Sequence, residues 1–170
     1  LFIAAGALAG LALSDFHDPG LFVPALLALL GLTLSIGLTA SSIAIMGSVE
    51  ASKGGAAGSL EATSYELGTG IGITLFGVFM SSAFGRALQP PPELSPDLAR
   101  QAARSIGDTY LVAARLPAEQ GAALIAAGKA AFTTTHTVLL STSAAMIGVL
   151  AIVVFVLLAS YRDSSATDAA

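Results

Sequence analysis

The stretch Leu21–Gly47, LFVPALLALLGLTLSIGLTASSIAIMG, holds no charged residue. A bilayer is crossed by about 20 apolar residues in a helix, so this run is long enough to cross with some tilt. Its first half is rich in leucine and its second half carries Thr33, Ser35, Thr39, Ser41 and Ser42. Upstream, Ser14–Gly20 (SDFHDPG) reads as a turn, with Asp, Pro and Gly as breakers. The apolar run 1–13 before it is too short to span and lacks the basic flank of a signal peptide. It reads as the end of a spanning helix whose start is missing. Downstream, 48–55 is a short polar loop holding Glu50 and Lys53, and 56–84 is a further span.

The rest of the chain follows the same logic. Arg86 and the run Pro90-Pro91-Pro92 end the span at 56–84. Ser95-Pro96-Asp97 is an N-cap followed by proline at the first helical position. Leu98, Ala102, Ile106, Tyr110 and Ala113 then recur at helical spacing, with Arg100, Arg104 and Asp108 off that stripe. Pro117 breaks this helix and an alanine-rich one runs to Phe132, so 85–136 is expected to be an amphipathic helical hairpin too polar to span. The residues 137–159 form the last span, and 160–170 is a polar tail expected to be disordered. Composition agrees with an all-α integral membrane chain: 55% of residues are hydrophobic and only 11% charged, where soluble domains carry about 25%. Cysteine is absent, which excludes disulfides and thiolate metal sites. The net charge of −4 makes nucleic acid a poor partner.

The chemistry concentrates in Gly58–Gly77, GSLEATSYELGTGIGITLFG. A carboxylate at the centre of a spanning helix costs about 2.5–3.5 kcal/mol on insertion scales. Such groups face a cavity or a partner, and one that holds or releases a proton there is a proton-coupling element. Glu66 fits that role. Glu61 lies about 7.5 Å nearer the start of the span and about 140° around the helix, where it also fits a wetted position. Glu66 aligns with Gly70, Ile73 and Gly77, and Glu61 with Gly68 and Gly72. These glycines read as helix-packing positions. No strand precedes them, so a nucleotide fingerprint is not indicated. On the second span Ser35, Thr39, Ser42 and Met46 share a face that would line a substrate path, or equally would bond backbone carbonyls of their own helix. Tyr65 is a further candidate for the cavity wall, as a ring that stacks on a cation or simply packs. His17 and His136 sit at span ends without ligand spacing between them. No nucleophile–base arrangement or metal cluster stands out, so an enzyme is not expected.

The motif GxAGSLEATSYELGTGIGITLFG, with the step Tyr65-Glu66-Leu67-Gly68, resembles the penultimate helix of the fourteen-helix drug:proton antiporters of the major facilitator superfamily, and is similar in particular to the QacA-like group. Glu61 matches the first acidic position of that group, its usual acidic neighbour is replaced by Ala62, and Glu66 stands where the group often has Asp. The match covers about residues 56–159. The resemblance implies the C-terminal helices of a major facilitator superfamily transporter, helices eleven to fourteen. The loop 48–55 and the tail would then be cytoplasmic and the 85–136 loop external, in a multi-pass protein of the inner or plasma membrane. It also implies export of lipophilic cations in exchange for protons, with membrane lipid and a missing N-terminal half as partners and no cofactor besides the proton as coupling ion. Two other readings fit the residues: a compact four-helix proton-coupled exporter, and a non-transporting membrane scaffold in which Glu66 only bonds a neighbouring helix.

Overall fold

In the computed structural model, residues 1–14, 16 and 20–167 are described, with side chains described as far as Leu157. The helices are α1 (Phe2–Ala12), α2 (Phe22–Gly47), α3 (Gly54–Ala87), α4 (Pro96–Ala102), α5 (Ile106–Ala113) and α6 (Ala118–Thr167), with a single 3₁₀ turn at Ala51–Lys53 before α3. Among the described residues there is no strand. Among the described residues, three stretches are long and apolar enough to cross a membrane: Phe22–Gly47, Ala51–Ala87 and Ala118–Leu157. Only 6% of the most apolar window of each is buried within the chain. Outward-facing Leu, Ile and Val on these helices, such as Leu32, Ile36, Leu67, Ile71 and Val156, suit a lipid solvent, in which a helix is favoured because it satisfies its own backbone. The chain is therefore an all-α membrane protein.

The residues form two compact units, 1–51 with 140–170, and 52–139. In the first, α1 presents Ala4, Ala7, Leu8 and Leu11 as one buried face, the i, i+3, i+4, i+7 spacing of a helical stripe. Small residues let helix backbones approach closely in lipid. Leu26 of α2 sits over Gly10, where a Cβ would lie 3.0 Å from its Cδ1. Ala5 faces Gly148 of α6, and the Phe2 and Phe155 rings meet edge-to-face at 6.5 Å. At the end of the following turn Gly20 has φ +52°, a left-handed conformation open to glycine at little cost. The histidine and three other residues expected in that turn (Asp15, His17, Asp18, Pro19) lie outside the described residues.

The second unit holds α3, α4, α5 and the first part of α6 around a core of Phe84, Leu88, Ala102, Val112, Ala113, Leu124 and Ala131. Ser95 caps α4 as expected: its hydroxyl accepts from the Leu98 N–H at 3.4 Å with Pro96 behind it. Arg100 and Asp97 pair on its exposed side. Two expectations are corrected here. The stripe from Leu98 to Ala113 is not one helix. Ser105 starts a second one, its hydroxyl accepting from the Asp108 N–H at 3.0 Å and donating to Asp108 Oδ2 at 2.8 Å. That local capping opportunity interrupts the helix and shifts its phase, so that Thr109 is buried and Tyr110 is 43% exposed. The Thr109 hydroxyl donates to the Ala102 carbonyl at 2.9 Å and lies 3.0 Å from the Ser105 carbonyl, locking the corner.

The second correction concerns the hairpin. Pro117 does break the chain, but its second arm does not end near His136: α6 runs without interruption from Ala118 through the last span and on to Thr167. The polar run Thr133–Thr137 carries no breaker. The hydroxyls of Thr134, Thr135 and Thr137 donate to carbonyls four residues back, at 2.8–3.2 Å, so their polarity is absorbed without ending the helix. The residues 160–167 of the expected tail likewise continue α6, and α3 extends beyond both ends of the expected 56–84 span.

On α6 the buried face is Gly121, Leu124, Gly128, Ala131 and Thr135. A Cβ at Gly121 would lie 2.8 Å from the Ala113 carbonyl oxygen, and one at Gly128 2.7 Å from Thr109 Cγ2. On the α3 side, a Cβ at Gly85 would lie 3.0 Å from the Ala103 carbonyl, and the Ser81 hydroxyl donates to the Arg104 carbonyl at 3.2 Å. Gly121→Ala gains about 1 kcal/mol of helix propensity, but it meets a backbone atom that has no rotamer to move. The net effect is expected to be a loss of about 1–3 kcal/mol from the α5–α6 contact. Hydrogen exchange on the reconstituted protein should show faster exchange at Ile106–Ala113 in this variant. Gly148→Ala, whose Cβ makes an ordinary 4.0 Å contact, should leave those amides unchanged. Equal protection in both variants would show that the close approach is not a constraint.

Candidate functional site

α3 positions both acidic residues on one uninterrupted helix. Glycine and alanine lead into it, and the hydroxyls of Ser59 and Thr63 donate to the Gly55 and Ser59 carbonyls at 3.0 and 2.8 Å, as Thr74 does to Gly70 at 2.9 Å. These three hydroxyls near the carboxylates are thus turned back onto the helix. Glu61 is half-buried and Glu66 exposed, with Tyr65 beside it 57% exposed. From Leu67 to Gly85 there is no charge, which is about 28 Å of helix against a hydrocarbon thickness of about 30 Å. Glu66 and Arg86 bracket this stretch. Glu66 therefore stands at the edge of the apolar stretch rather than at its middle, with Glu61 about 7.5 Å further out.

The glycines expected to pack have open space beside them. A Cβ at Gly68, Gly70, Gly72 or Gly77 would meet nothing within 4 Å. The chain's close glycine contacts in this unit lie at Gly85, Gly121 and Gly128, which the sequence reading passed over. Their signal was the spacing Gly121–Leu124–Gly128–Ala131, alternate steps of three and four that mark one helix face.

The other candidates belong to α2. Ser35, Thr39 and Met46 are exposed and Ser42 is half-buried. The Thr39 hydroxyl donates to the Ser35 carbonyl at 3.1 Å, as Thr33 and Ser41 bond within their own turns. The stripe exists, and part of its polarity is spent on its own helix. α2 and the carboxylates lie in separate units. His136 is half-buried, its ring 5.2 Å from that of Phe132 at 43°. Among the described residues no three His, Asp or Glu side chains cluster as metal ligands would. What the site offers chemically is two carboxylates on different sides of α3 at the end of its uncharged stretch, with an aromatic ring between them in sequence.

Comparison with known proteins adds the context. No family model matches the chain, and no solved structure matches it. The chain is 38% identical over 143 residues to the methyl viologen resistance protein SmvA of Salmonella typhimurium, covering 84% of this chain and 29% of that protein. It is 36% identical over 103 residues to the multidrug efflux pump LfrA of Mycolicibacterium smegmatis, covering 61% of this chain and 20% of that one. The chain thus spans less than a third of the length of these relatives, one named for resistance to a toxic compound and the other for drug efflux.

Proposed function

We propose that this chain supplies helices of a proton-coupled multidrug efflux antiporter of the QacA-like kind, exporting lipophilic and quaternary ammonium cations across the cell membrane. The observation that carries the reading is the similarity, over 84% of the chain, to a methyl viologen resistance protein. Methyl viologen is a flat aromatic dication with two quaternary nitrogens. It offers no hydrogen-bond donor, so recognition falls to carboxylates and aromatic faces, the two features that α3 carries at Glu61, Tyr65 and Glu66.

The mechanism is exchange without covalent chemistry. A carboxylate that binds a cation cannot at the same time hold a proton, so each ligand weakens the other, and by linkage the effect is mutual. In this reading Glu66, at the edge of the apolar stretch, is the exchange group. Glu61, further toward the cytoplasmic side, raises the local concentration of cations at the entrance. The face of Ser35, Thr39, Ser42 and Met46 lines the path, and the two open glycine sides of α3, Gly68 with Gly72 and Gly70 with Gly77, receive helices of the N-terminal half.

Three measurements on the intact transporter test this. Glu66→Gln should lower proton-driven cation efflux about tenfold, within the range of ordinary coupling energies, while insertion and abundance stay normal. Undiminished pH-dependent transport would remove Glu66 from the mechanism. Glu61→Gln should weaken efflux of the dication methyl viologen more than that of the monocation tetraphenylphosphonium. Because Coulomb energy scales with charge, the logarithm of the loss should be about twice as large, and should shrink with added salt. Equal losses would assign Glu61 another role. Finally, cysteines placed singly at 35, 39, 42 and 46 in a background without other cysteines should react with a water-soluble maleimide, and one at Ile36 should not. Labelling without helical periodicity would take α2 out of the path.

A further inference from the structure

A groove of about 490 Å³ runs along the second half of α3. Leu75, Val78 and Phe79 line it, Val138 of α6 closes it, and Ser82 and Arg86 stand at its end. We propose that this groove is a site for an anionic phospholipid, with an acyl chain along Leu75–Phe79 and the phosphate on the Arg86 guanidinium. The proposal rests on the chain being a membrane protein and does not depend on what it transports.

Three observations select this occupant. The first is depth. Arg86 is the first charge after the uncharged stretch and sits where α3 meets the interface. Leu75 lies about 16 Å from it along the helix, about half the hydrocarbon thickness and so the depth that one leaflet's acyl chain reaches. The second is charge. Arg86 donates to the Ser82 hydroxyl at 2.7 Å, and among the described residues no carboxylate pairs with it. Four of its five N–H donors remain in a planar fork that matches phosphate oxygens. The Ser82 contact holds that fork beside the groove. The third is exclusion. The same guanidinium repels a lipophilic cation, so the groove is unsuited to the compounds that the carboxylate end of α3 attracts. Leu75 and Val78 are 64% and 66% exposed, so no other part of this chain covers the acyl wall.

Native mass spectrometry of the full-length transporter, offered equal amounts of phosphatidylglycerol and phosphatidylcholine, decides the matter. Wild type should retain phosphatidylglycerol about fivefold over phosphatidylcholine, the scale of one basic residue at an anionic interface. Arg86→Gln should bring that ratio close to one. Arg100→Gln, at the residue paired with Asp97 away from the groove, should leave it unchanged. Val138→Phe, which fills the groove, should reduce retention of both lipids. Equal retention of the two lipids by wild type would overturn the proposal, as would a ratio unaffected by Arg86→Gln. Displacement of the bound lipid by millimolar glycerol phosphate would also overturn it, because the site would then read a soluble phosphate without using the acyl chain.

Discussion

The long helices of this chain answer to one constraint: where lipid is the solvent, backbone and side-chain polar groups must be satisfied inside the helix that carries them. Many of the hydroxyls obey it alongside the amides. Thr33, Thr39, Ser41, Ser59, Thr63, Thr74, Thr134, Thr135 and Thr137 each donate to a carbonyl one turn back. Once those groups are closed, the uncharged stretch of α3 presents mostly hydrocarbon, bracketed by the carboxylates at one end and the guanidinium at the other. The polar features that are not absorbed are therefore few, and they are where function is to be sought.

That constraint also explains what the sequence made legible. Long uncharged runs leave only one backbone solution, so α2, α3 and the last span follow from composition alone. The loop after Arg86 is governed by different physics. There water competes, helices are short, and a single serine decides where one ends. The stripe Leu98–Ala102–Ile106–Tyr110–Ala113 had helical spacing but ran across Ser105, whose side chain offers the backbone a cap. Periodicity cannot see that choice, and the phase error it left put Tyr110 where Thr109 belongs. The Thr133–Thr137 run misled in the opposite direction: polarity suggested a boundary, whereas back-bonded hydroxyls are compatible with a continuous helix.

The candidate site was legible in its chemistry and less so in its depth. Two carboxylates in an otherwise apolar helix announce themselves by residue type. That Glu66 stands at the edge of the uncharged stretch follows only when the helix is continuous to Arg86, so that residue count converts to distance. The glycines posed the same difficulty in reverse. Gly68 to Gly77 carried the recognisable motif but have open space beside them within the chain, whereas Gly121 and Gly128, in an unremarkable alanine-rich segment, carry close helix contacts.

Those two glycines have a consequence for how the loop can change over generations. A glycine can be exchanged only for something larger, and at Gly121 the first atom added confronts a main-chain carbonyl rather than a yielding side chain. The contact is thus a one-way gate to variation: drift at Ala122, Ala123 or Ala126, which are exposed, costs little, while nearly every single-nucleotide path out of the glycine codon is penalised at once. A surface built from the smallest residues holds its register with little buried area, and in return has almost no neutral neighbours in sequence space.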